Sequence, residues 1–181
     1  MAPHRLSPAI RRAILAGLAG LVALQFAPAH AAPARTRLTD AAVRTFMARQ
    51  EAAWNARDAR GYFALFAPGA TFVEEGRTNT GGVIRYGSSR LEEARQQAQR
   101  FFAGPRSGDR TTITAITVAP NGRSAKVAGQ KVTTLADGAR RHCAEVRQTL
   151  TLTAGRILST GETSTAIRCR DAGRRPQFED H

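Results

Sequence analysis

The chain has 181 residues, 42% of them hydrophobic, and a formal net charge of +13 from 27 basic and 14 acidic side chains. That length holds one ordinary domain with one core, and the apolar fraction excludes a disordered or fibrous protein. A charge this basic raises nucleic acid as a partner. The basic residues, all arginine except Lys126 and Lys131, are instead scattered, with no run longer than two and little aromatic interleaving, as on a solvated face.

Residues 1–31 read as a secretory signal. Arg5, Arg11 and Arg12 make a basic start, residues 14–26 an apolar run, and Ala29-His30-Ala31 a small-x-small cleavage pattern. The run is too short to cross a hydrocarbon layer of about 30 Å, which takes roughly 20 helical residues. The expectation is a periplasmic or secreted protein with no stable membrane insertion after cleavage, no nucleic-acid partner and a mature charge of +10 once those three arginines leave.

After a linker at 32–38, Thr39 suits the N-cap of a first helix, with Asp40 complementing its dipole and Leu38 and Val43 placed to form a hydrophobic staple. Val43, Phe46, Met47 and Trp54 then fall on one helical face. Asp58 can cap a second helix over 59–66, which Pro68-Gly69 ends, and 71–74 is a β-rich stretch. The glycine-containing segment 76–87 reads as a loop or irregular hairpin. Ser89-Arg90-Leu91-Glu92 has the form of a capping box opening a third helix that runs to Phe102.

From Thr111 the periodicity changes from 3.6 to 2. Strands are predicted over 112–118, 124–135, 141–153 and 157–167, punctuated by turn residues. Helices followed by a meander predict an α+β domain over 39–169, with three helices packed on a curved antiparallel sheet, and a flexible polar tail over 170–181.

Cys143 and Cys169 lie near the two ends of the last hairpin. Residues facing each other there have numbers adding to about 310, and the cysteine pair misses that by two. A disulfide is therefore expected, in keeping with an oxidising compartment.

The motifs Ala53-Trp54-Asn55-Ala56-Arg57-Asp58 and Ala64-Leu65-Phe66-Ala67-Pro68-Gly69-Ala70-Thr71-Phe72, with this order of elements, resemble the nuclear transport factor 2-like superfamily. The likeness is to its SnoaL-like polyketide-cyclase and ketosteroid-isomerase-like members. It implies a cone enclosing a pocket, often dimerised through the sheet's outer face. Trp54, Tyr62, Phe66, Phe72, Tyr86 and Phe102 would lie at or near that pocket, which would take a small apolar molecule.

The same resemblance puts Glu74 at the position of the isomerase's general base. Strand parity alone leaves open whether Glu74 or Glu75 faces inward. If Glu74 shares the pocket with Phe72, burial would raise its pKa toward a useful value. The isomerase's oxyanion tyrosine falls at Gln50, and Glu145 is a weak candidate for the second oxyanion acid. His142 reads as a surface strand residue. No metal or cofactor motif is present, and no nucleophile elbow.

Three functions follow in order: an exported binding protein for a small apolar molecule, an isomerase, cyclase or dehydratase using Glu74, and an interaction module that dimerises through its sheet.

Overall fold

The computed structural model describes residues 36–171 apart from 137 and 139. The expected signal at 1–31, most of the expected linker and residues 172–181 of the expected tail lie outside the described residues. The elements are α1 Asp40–Asn55, α2 Ala59–Phe63, β1 Phe66–Arg77, β2 Val83–Arg90, α3 Leu91–Ala103, β3 Ser107–Val118, β4 Ser124–Leu135, β5 Arg141–Thr153 and β6 Arg156–Ile167. A short 3-10 turn, Cys169–Asp171, follows. This is the α+β architecture expected, with the helices packed over one face of a single sheet ordered β2-β1-β6-β5-β4-β3. Among the described residues no helix is long and apolar enough to cross a membrane.

Local chemistry sets most boundaries. The Thr39 hydroxyl accepts from the Ala42 N–H at 3.2 Å, and Leu38 and Val43 are both buried in the core, which is the staple geometry. The Asp58 carboxylate accepts from the Gly61 N–H at 2.8 Å and starts α2.

Several boundaries differ from expectation, among them the start of β3, at Ser107 instead of residue 112. The second helix stops at Phe63 and β1 begins at Phe66, ahead of Pro68-Gly69. The Ser159 N–H donates to Leu65 O at 2.9 Å, so the last strand draws this segment into the sheet. The capping reciprocity of α3 lies one residue on, where the Arg90 N–H donates to the Glu93 carboxylate at 2.9 Å. The 76–87 segment takes the irregular-hairpin form, one of the two expected, with β2 forming the sheet's edge beside β1.

The sheet is antiparallel except at one seam, where β1 runs parallel to β6. That seam has a register break between Phe66 and Thr71, and it includes Gly161. Gly161 has φ +147°, and a Cβ there would sit 2.0 Å from Thr71 O. Only glycine fits.

The expected disulfide joins Cys143 and Cys169, with a Cα separation of 5.1 Å. The hairpin turn is Ala154-Gly155, both at positive φ (48° and 73°), as a two-residue turn matched to strand twist requires.

Candidate functional site

The concave face of the sheet and the three helices enclose a cavity of about 640 Å³ that opens to solvent. Its apolar wall is aromatic. Trp54 of α1 lies 4.8 Å from the Tyr62 ring and 5.7 Å, stacked, from Phe101 of α3, while Phe72 enters from β1. Tyr86, 64% exposed on the edge strand, stands at the mouth.

Two aromatic expectations are corrected. Phe66 and Phe102 do not line the cavity: Phe66 is buried in the core against Phe63 and Phe72, and Phe102 packs edge-on behind Trp54 at 4.7 Å. Phe101 takes the position expected of Phe102, because the helix turns that side toward the opening.

The polar floor comes from the meander strands, where alternation sends every second side chain inward. Lys131 on β4 reaches past the small Ala144 on β5 to Glu162 on β6, Nζ to Oε1 at 2.6 Å. Their side chains are 22% and 10% exposed. Gln148, directly opposite Glu162 in the register, donates from Nε2 to Glu162 Oε2 at 2.6 Å and to Gln50 Oε1 at 2.9 Å. Asp109 of β3 accepts from the Thr133 hydroxyl at 2.8 Å, and Glu51 accepts from the Thr111 N–H.

The carboxylate of Glu162 sets the orientation of both amides. A carboxylate only accepts, so Gln148 must turn its NH2 toward Glu162, and Gln50 must then present its oxygen to Gln148. Gln50 Nε2 and Gln148 Oε1 are left without a protein partner, in residues only 4% and 5% exposed. Buried polar atoms in this condition are costly and uncommon.

Burial is the largest single influence on the titration of Asp109, Lys131 and Tyr62. Asp109 is pushed above its ordinary value by burial, which outweighs the opposing effects of Lys131 and the Thr133 hydroxyl, and the charges of Glu162 and Glu51 add a little to the rise. Burial works to lower Lys131, but the charge and hydrogen bond of Glu162, together with the charges of Asp109 and Glu51, outweigh it and hold the ammonium above its ordinary range. Tyr62 is raised well above 10 by burial and by the negative charges of Glu162 and Asp109, which keeps its hydroxyl protonated.

The residues singled out from sequence occupy different parts of this arrangement. Glu74 lines the cavity but is exposed, packed against Gly87, its partner on β2. The burial expected there is absent, because β2 is an edge strand and leaves the mouth open. Glu75 points to the other face, where it accepts from the Thr165 hydroxyl at 3.1 Å and pairs with Arg147 and Arg85 at 3.5 and 3.8 Å.

Glu145 is corrected outright. Its strand neighbours Ala144 and Val146 line the cavity, so Glu145 faces outward and pairs with Arg77 at 2.7 Å. Gln50 lies in the floor, although its free group is an amide donor. His142 is exposed at the sheet end of the cavity. Among the described residues no cluster of three or more His, Cys, Asp or Glu has metal-holding geometry.

Lys131, Glu162, Asp109 and Gln148 were missed. The available signal was a lysine, one of only two, inside a buried strand, and a lone glutamate within a Ser/Thr-rich one.

No protein-family model and no curated protein matches the chain. Solved structures do. A domain of unknown function with a cystatin-like fold from Nostoc punctiforme superposes with a TM-score of 0.57 at 16% identity, covering 72% of this chain and 80% of that one. An NTF-2 like protein of unknown function from Shewanella oneidensis gives 0.53 at 14%, covering 68% and 95%. Aln2 from a Streptomyces species gives 0.52 at 24%, covering 68% and 87%. The chain has the nuclear transport factor 2-like fold.

Proposed function

We propose that the protein is exported and binds a small, mainly apolar molecule in the cavity, whose polar end meets the floor formed by Lys131, Glu162, Gln148 and Gln50. One observation carries this reading: an open cavity of about 640 Å³ with aromatic walls and a few converging buried polar groups, the usual composition of a small-molecule site. Export is supported by the signal pattern at 1–31 and by the disulfide. The resemblance adds a homodimer formed through the sheet's outer face, a contact that a sedimentation measurement would detect.

A second reading is acid–base turnover, favoured by one feature. Asp109, a carboxyl raised by burial, lines the cavity together with the Lys131–Glu162 pair, and a raised carboxyl in a cleft suits proton transfer. Glu74, exposed at the mouth, is the less suited base.

The test exploits Trp54, the single tryptophan, which lines the cavity. Titration with 1-adamantanol, a compact and optically transparent probe, is expected to change its emission saturably. Ala98 on α3 is buried at the cavity wall, and Ala98→Phe is expected to abolish that response while the far-ultraviolet spectrum is kept. No saturable response in the parent protein, or an unchanged one in the variant, would refute the reading.

A further inference from the structure

The chain carries 25 arginines, counting all 27 basic residues except Lys126 and Lys131. None of the arginines among the described residues lines the cavity, whereas Glu51, Glu74, Asp109 and Glu162 do. The single lysine there is already paired with Glu162 at 2.6 Å. A strongly basic protein thus encloses a cavity whose unpaired charge is negative.

We infer that the cavity selects a molecule bearing a protonated amine on an apolar body and rejects its carboxylate counterpart; this rests on the binding reading above and specifies the ligand's class. The second, independent observation is the pair of unpartnered amide atoms. Gln148 Oε1 is an acceptor in a residue 95% buried, held in that sense by the Glu162 carboxylate, and Gln148 is among the residues lining the same cavity. An ammonium brings several donors and no acceptor, which suits Gln148 Oε1 and the carboxyl of Asp109. Trp54, Tyr62 and Phe101, packed against one another in the wall, supply the apolar surface for the ligand's body.

An anionic ligand meets the opposite situation. To use Lys131 it must compete with Glu162, and it must leave water beside the carboxyls of Asp109 and Glu51. Like charges in a partly enclosed, low-dielectric site repel strongly. Only the Gln50 Nε2 donor would serve it.

The experiment uses three probes with one hydrocarbon body: 1-adamantylamine, 1-adamantanol and 1-adamantanecarboxylate, titrated at neutral pH against the mature chain and followed by Trp54 emission and calorimetry. The amine is expected to bind at least about tenfold more tightly than the carboxylate, with the alcohol between them. In the Asp109→Asn variant the preference for the amine over the carboxylate is expected to shrink severalfold. A carboxylate bound as tightly as the amine, or an alcohol bound more tightly than both, would overturn the inference and leave the binding reading intact. Failure of all three probes would sink the binding reading itself.

Discussion

The Lys131–Glu162 pair shows how one residue's cost depends on its neighbour. Removing the ammonium by Lys131→Met leaves a carboxylate that is 10% exposed with only the Gln148 amide. Orphaning a buried charge in this way costs about 3 kcal/mol. Urea unfolding of Lys131→Met is expected to show a loss of that size, and the double change Lys131→Met with Glu162→Leu a smaller one, because no buried charge is then stranded. Asp109 makes a second, pH-dependent case. Its folded-state pKa lies above the ordinary 3.8, so the folded protein holds more protons than the unfolded chain from about pH 4 upward. Stability from this group is therefore lost as pH rises through that window. Asn cannot titrate, and Lys131 keeps Glu162 as its partner. The stability of Asp109→Asn relative to the parent should thus increase from about pH 4 toward neutrality, measured by thermal melts at a series of pH values. A flat difference would contradict the burial of Asp109.

Elements were legible where their signals were local. Thr39 and Asp58 as caps, the hairpin over β5 and β6, and the cysteine pairing all follow from neighbours in sequence. The start of β1 at Phe66 was not legible, because a hydrogen bond from Ser159, far along the chain, overrides the helical preference of residues 64–66. The candidate site was less legible for the same reason. Gln50 and the aromatics belong to a motif, but Lys131, Glu162 and Asp109 meet only through strand register, which no local pattern supplies. The disulfide gives the element-scale prediction. It closes a loop of 26 residues in sequence separation, and Cys143→Ala with Cys169→Ala is expected to lower stability by about 3.5 kcal/mol in the chain-entropy model. Guanidinium midpoints of the variant and the oxidised parent would check it, and a loss well below 1 kcal/mol would show that the hairpin is held by its packing alone.

At the scale of the whole molecule, the first strand of the sheet is held by the last. β1 has β2 on one side and β6 on the other, and Gly161 brings the β1 and β6 backbones into close approach at the seam. A chain ending at residue 155 would lack Glu162, Ile157 and the partner of Leu65. It is expected to retain helical signal but to give no near-ultraviolet signature from the aromatic cluster around Trp54. A native-like near-ultraviolet spectrum from that fragment would show that β1 does not need β6. The parallel seam also orders events in time. Pairings of such long sequence separation form slowly, and the aromatic-rich stretch from Trp54 to Phe72 emerges well before the strand that shelters it. That stretch stays uncovered until then, so the cavity is a property that the molecule acquires only after its last strand arrives.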